Sequence, residues 1–124
     1  MNIARITGLC LLAASAWVLS GCEDDEGYRD HTPPDGKGSI VVDNQTPDRL
    51  RVYIDGGYAA QADDWDDLIL DLDPGVYRVF LEGRDSDRTY QGDIDVLEGR
   101  LTILHVSPDA SVATAYKVRI EYEE

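Results

Sequence analysis

Apolar residues follow two regimes along the chain. Residues 6–19 form a 14-residue run interrupted by Thr7 and Ser15 and free of charge. Residues 23–37 (EDDEGYRDHTPPDGK) are polar, acidic and broken by Pro33 and Pro34. From Gly38 onward, short apolar runs alternate with polar positions and are separated by turn residues. A period of two puts alternate side chains on one face of a strand, and beyond the first run no 3.6-residue period is present.

The second regime predicts about seven strands. The first covers 39–43 (SIVVD) and ends at the turn residues 44–48 (NQTPD). In the second, Leu50, Val52 and Ile54 alternate with Arg51, Tyr53 and Asp55, and Gly56-Gly57 ends it. The third has Leu68, Leu70 and Leu72 on one face, and Asp73-Pro74-Gly75 turns the chain. The fourth, 76–82, directs Tyr77, Val79 and Leu81 inward. Strands at 89–96 and 100–107 flank Leu97-Glu98-Gly99 and read as a tight hairpin, with Ile94 and Val96 opposite Leu101 and Ile103. In the last, Tyr116, Val118, Ile120 and Tyr122 alternate with Lys117, Arg119 and Glu121, the pattern of an edge strand. The expected fold is all-β: a small antiparallel β-sandwich, immunoglobulin-like or prealbumin-like. Arg51-Val52-Tyr53-Ile54-Asp55-Gly56 is echoed by Arg78-Val79-Phe80-Leu81-Glu82-Gly83, which common strand-then-glycine chemistry accounts for.

The N-terminal run is too short for a bilayer core of about 30 Å and has the length of a signal-peptide apolar region. Leu19-Ser20-Gly21-Cys22 resembles the lipobox of bacterial lipoproteins. The resemblance implies that residues 1–21 are a cleaved leader, that Cys22 is lipidated, and that Cys10 leaves with the leader. The partner is then a membrane, held through the lipid anchor, with the outer membrane favoured over the inner. One acyl chain holds marginally, at about 0.8 kcal/mol per buried CH₂, so the multiple chains of such an anchor make attachment durable. Residues 22–37 form the lipidated Cys and a disordered acidic tether, spanning roughly 22 Å as a coil. Residues 38–124 form one domain. His31 is expected to be a solvated tether residue.

Charge narrows the function classes. The chain carries 25 Asp and Glu against 11 Lys and Arg, for a net charge of -14. Removing Arg5 with the leader makes the remainder more acidic. Such a surface repels nucleic acid, so no nucleic-acid partner is expected.

The order Gly38-Ser39-Ile40-Val41-Val42, then Val52-Tyr53-Ile54-Asp55-Gly56, then Leu72-Asp73-Pro74-Gly75-Val76-Tyr77-Arg78-Val79 resembles PEGA-type and related immunoglobulin-like or prealbumin-like surface modules. The likeness covers about residues 38–107. It implies an envelope-associated β-sandwich used for binding or spacing, without catalysis.

Three groups of side chains are candidates for chemistry. Tyr53, Tyr58 and Trp65, around Gly56-Gly57, could form a surface for an envelope protein or a glycan, because Tyr and Trp offer large contact area with few torsions to freeze. Asp63, Asp64, Asp66 and Asp67 crowd one segment and are the alternative: a carboxylate-rich calcium site, although the spacing of an EF-hand is missing. His105 stands between apolar Leu104 and Val106 and reads as a structural histidine, with no base placed beside a nucleophile. The expected protein is therefore not an enzyme, has no cofactor, and serves as a binding, accessory or structural lipoprotein of the envelope.

Overall fold

The computed structural model describes residues 27–123; the leader, the lipobox cysteine Cys22 and most of the acidic stretch lie outside the described residues. Gly27–Asp30 is a single 3-10 turn. Among the described residues no helix is long and apolar enough to cross a membrane.

Residues 31–123 carry eight strands: β1 (Gly38–Asn44), β2 (Leu50–Ile54), β3 (Gly57–Ala62), β4 (Asp67–Leu72), β5 (Gly75–Gly83), β6 (Thr89–Val96), β7 (Leu101–Pro108) and β8 (Tyr116–Glu123). They form two four-stranded sheets, ordered β4-β1-β7-β8 and β3-β2-β5-β6. All pairings are antiparallel except that of β1 with β7, which is parallel. An immunoglobulin constant domain keeps its first two strands in one sheet. Here β1 and β2 lie in different sheets.

Burial explains the sequence patterns. β1 and β7 are the central strands of the first sheet and are buried over nearly their whole length, which is why SIVV and LTILHV read as continuous apolar runs. Ile40, Val42, Leu104 and Val106 from this sheet meet Leu50, Val52, Val79, Leu81, Ile94 and Val96 from the other in one core. Leu68, Leu70, Leu72 and Tyr77 pack at its margin, as their spacing predicts. β8 lies at the edge of its sheet.

Two expectations are corrected. The first concerns β3, a strand that the hydrophobic pattern does not predict. Its sequence GYAAQA has only small residues on its inward face, so the apolar alternation is faint. Asp55 and Gly56, at φ 49° and 86°, form the two-residue hairpin turn that joins β2 to β3. The second concerns residues 89–107: β6 and β7 do not form a hairpin but belong to opposite sheets. Residues 97–100 make a corner, in which Gly99 N donates to Lys37 O and Arg100 N to Leu97 O. The β7 residues that meet Ile94 and Val96 in the core are Leu104 and Val106, not Leu101 and Ile103; β7 is buried on both faces, so its apolar residues do not mark which face looks inward.

Residues 31–37, expected within the tether, contact the first sheet. His31 Nε2 lies 2.8 Å from Asp71 Oδ1 on β4, and Lys37 Nζ donates to Asp73. Hydrogen bonds from Ser39, then His31, hold the Asp71 carboxyl below the usual carboxylate range. Ser39 and Asp71 are register partners, so β1 and β4 present a carboxylate where the chain passes.

One end of the sandwich is closed by polar contacts. Asp48 Oδ2 accepts from Tyr116 Oη and from Ser86 Oγ, each at 2.8 Å. Arg88 Nη1 donates to the carbonyls of Asp109, Val112 and Ala115, which gathers the β7–β8 connection. Burial, with the nearby Asp48 carboxylate adding to it, pushes the Tyr116 hydroxyl up to about 12. The unfolded tyrosine ionises near 10, so the folded state holds its proton longer and stability falls as pH rises from about 10 to about 12. Tyr90 is raised by burial as well and acts in the same direction. Tyr116→Phe should therefore flatten, without abolishing, the loss of stability above pH 10, while costing about 1–2 kcal/mol at pH 7 through the lost hydrogen bond to a carboxylate. Urea unfolding at pH 7 and pH 11 measures both effects; equal slopes with pH in the two proteins would remove Tyr116 from the account.

Candidate functional site

The outward face of the second sheet is built by the pairing of β2 with β5. Leu50, Val52, Val79 and Leu81 point to the core, so Arg51, Tyr53, Phe80 and Glu82 point away from it. The register sets Tyr53 opposite Phe80 and Arg51 opposite Glu82. On the other side of β2, the tight turn brings Tyr58 opposite Tyr53, with a register irregularity between Val52 and Tyr53. Three rings from three adjacent strands then lie in a row. Tyr53 and Tyr58 meet edge to face at 5.7 Å between centroids, and Tyr53 and Phe80 are 5.8 Å apart at an interplanar angle of 54°. Tyr58 is 59% exposed at the edge strand, and Tyr53 and Phe80 are half-buried.

Charged pairs frame the row. Arg51 Nη1 and Tyr53 Oη both donate to Glu82 Oε1 at 3.3 Å. Arg78 Nε donates to Asp93 Oδ1 at 2.6 Å, and the Asp55 carboxylate accepts from Arg78 N. Val76, on the same outward series of β5 as Phe80 and Arg78, is exposed as well. An apolar strip with fixed polar groups at its margin suits a sugar ring or an extended peptide, each of which offers apolar faces and hydrogen-bonding edges.

The structure divides the three aromatic residues singled out from the sequence. Tyr53 and Tyr58 come together. Trp65 is in the β3–β4 connection, at the far end of β3 from the hairpin turn, with φ 57° and its N donating to Thr46 O. It is exposed but makes no ring contact with the pair. Phe80 takes the third place in the row. Its signal is the echo between the two segments: when Arg51-Val52-Tyr53-Ile54-Asp55 runs antiparallel to Arg78-Val79-Phe80-Leu81-Glu82, the aromatic centres face each other, the Arg51 side chain meets Glu82, and the Arg78 backbone N–H meets the Asp55 carboxylate.

The four aspartates of the calcium alternative do not converge. Asp63 Oδ1 accepts from Gln61, its carbonyl accepts from Asn44 Nδ2, Asp66 Oδ1 accepts from Asp67 N, and Asp67 sits opposite Asp43 in the sheet. Burial and the neighbouring Asp66 and Asp43 charges raise the Asp67 carboxyl. Among the described residues no three His, Cys, Asp or Glu side chains are grouped as a metal ion requires.

His105 is on the first sheet, on the face away from the core, and is 7% exposed. Its Nδ1 is 2.8 Å from Asp43 Oδ2 on β1 and its Nε2 is 2.7 Å from Glu121 Oε1 on β8. The register explains the meeting, since Asp43 pairs with His105 directly and Glu121 is two residues from His105's partner Arg119.

No protein-family model matches the chain, and no curated protein matches it in sequence. Its structure is similar to that of the N-terminal domain of AlgF from P. aeruginosa, with a TM-score of 0.57 and 14% sequence identity over 73% of this chain and 98% of that one. At that identity the likeness is one of fold.

Proposed function

We propose that the protein is a non-enzymatic binding module of the bacterial envelope, anchored through lipid on Cys22, that holds its partner on the aromatic row of the second sheet. The observation that carries this reading is the alignment of Tyr53, Tyr58 and Phe80 on a solvent-facing sheet. Aromatic residues on an outward face contribute little to a core, whereas in an interface such side chains supply most of the binding energy. The Leu19-Ser20-Gly21-Cys22 order supports the anchor, and the structural likeness to a bacterial protein's domain supports the setting. The partner class is a glycan strand or protein segment of the envelope that lays an apolar face on the rings.

A photo-crosslinking residue at position 58, introduced into the full-length protein in a bacterial host, tests both halves. The mature chain should begin at a lipid-modified Cys22 by mass spectrometry. Position 58 should give one discrete crosslinked species in the membrane fraction, reduced at least tenfold by Tyr53→Ala together with Phe80→Ala, and absent from membranes with Cys22→Ala. A mature N-terminus elsewhere removes the anchor; crosslinking indifferent to the ring substitutions removes the row.

A further inference from the structure

The first sheet carries a second feature, of opposite character, at the end of β7 where β8 begins. Lys117 and Arg119 are two residues apart on β8 and so share its outward face. The register sets Lys117 opposite Ser107 and Arg119 opposite His105. With Gln45 these four residues line a pocket of about 200 Å³.

The charges in this pocket stand apart from those elsewhere in the molecule. Acids exceed bases by 25 to 11 in the chain, and Lys37, Arg49, Arg51 and Arg78 are each paired with a carboxylate. Arg88 is held by three carbonyls and Arg84 by Gln61. Lys117 and Arg119 make no ion pair or side-chain hydrogen bond among the described residues, despite this excess of available acid. Two cations left together, facing one pocket, are placed to meet a charge from outside.

His105 adds to them. Its two ring nitrogens face carboxylates, which only accept hydrogen bonds when ionised. A neutral imidazole donates once; the imidazolium donates to both, at 2.8 and 2.7 Å. In that form Asp43 and Glu121 direct their lone pairs at the ring, and Lys117, Arg119 and His105 together outweigh the two carboxylates by one positive charge. Ser107 and Gln45 supply neutral polar groups, the Gln45 amide being already engaged with Asp43 Oδ2. Distant acids oppose an anion weakly, because at 0.1 M salt exposed charges are screened beyond about 10 Å.

We propose that this pocket binds an oxyanion, the terminal phosphate, sulfate or carboxylate of a ligand, with Lys117 and Arg119 as the direct contacts and the Asp43-His105-Glu121 group setting the charge of its floor. Arginine presents a planar fork matched to such groups, and lysine a mobile point charge beside it. The site is on the opposite sheet from the aromatic row and does not depend on it.

The test is titration of the ¹⁵N-labelled protein with inorganic phosphate, and separately with sulfate and acetate, at constant ionic strength. Saturable shifts should be confined to Ser107, Lys117, Arg119 and Gln45. Lys117→Gln with Arg119→Gln, both exposed positions that leave the core untouched, should weaken binding at least tenfold. Arg78→Gln, on the other sheet, should leave it unchanged. Shifts that are linear in phosphate, spread over the surface, or unaltered in the Lys117 and Arg119 double variant would overturn the proposal. The relative affinities for phosphate, sulfate and acetate then identify the preferred oxyanion.

Discussion

Asn44→Ala lowers the stability of the domain by about 3 kcal/mol, near the upper end of the usual range for a single substitution. Asn44 is the last residue of β1 and is buried. Its carboxamide joins two connections that share no strand pairing. Nδ2 donates to Asp48 O at 2.8 Å and Asp63 O at 2.9 Å, while Oδ1 accepts from Thr46 N at 3.1 Å and Thr46 Oγ1 at 2.7 Å. Removing it leaves the buried Thr46 N–H without its acceptor, and takes the shorter bond from the Asp48 and Asp63 carbonyls, which keep Thr46 Oγ1 at 3.3 Å and Asp66 N at 3.2 Å; a buried polar group left unsatisfied costs about 1–3 kcal/mol less whatever water recovers. Asn44→Asp provides the sharper comparison. It keeps the shape and the acceptor but cannot donate when ionised, so it should be at least as destabilising as alanine at pH 7. Urea unfolding followed by circular dichroism reads both, with the slope against urea unchanged because the surface exposed is the same. A loss below about 1 kcal/mol for both variants would mean that the two connections hold their places without this side chain.

Gly38→Ala is expected to cost about 2–3 kcal/mol for a methyl group, the range for overpacking in a site that cannot relax. A Cβ at Gly38 would be driven into the Leu97 carbonyl oxygen and would lie 2.7 Å from Val96 Cγ1. The obstacle is mostly backbone, and that backbone is the corner where the chain passes from β6 to β7, tied down by Ser39 N to Arg100 O and Gly99 N to Lys37 O. Gly57→Ala is the control. The nearest atom to its Cβ is 3.7 Å away and its φ is not in the left-handed region, so the same change there should be within about 0.5 kcal/mol of neutral. If the two substitutions had equal effects, intrinsic strand preference and not the corner would be responsible.

Both effects arise where sequence patterns are least informative. The alternation in β2 and β5 was readable because each residue's burial depends on one face of one sheet, whereas in β8 it holds only for Tyr116 and Val118. Gly38 matters through atoms 58 and 59 positions away, and Asn44 ties residues two and four positions on to one 19 positions away; nothing local marks a glycine that faces a distant carbonyl or an asparagine that spans two loops. The same limit divides the candidate site. Tyr53 and Tyr58 are joined by a two-residue turn and could be grouped from the sequence, whereas Phe80 enters through a pairing across more than 20 residues. The arginine-aromatic-acid echo carried that pairing, but reading it required knowing that the two copies run side by side. Trp65 failed as a member for the complementary reason: nearness along the chain was undone by β3, a strand of small residues with almost no apolar signal.

By itself the amino-acid order determined the class of fold, the positions of most strands, the inward residues of β2, β4 and β5 and the excess of negative charge, because each follows from a local period or a count. Only the tertiary structure decided the division of strands between sheets, the parallel contact of β1 with β7, the aromatic row, and the meeting of His105 with Asp43 and Glu121 beside two cations without an acidic partner among the described residues. Those depend on which distant segments share a backbone ladder, and a period of two is identical for every partner a strand could take.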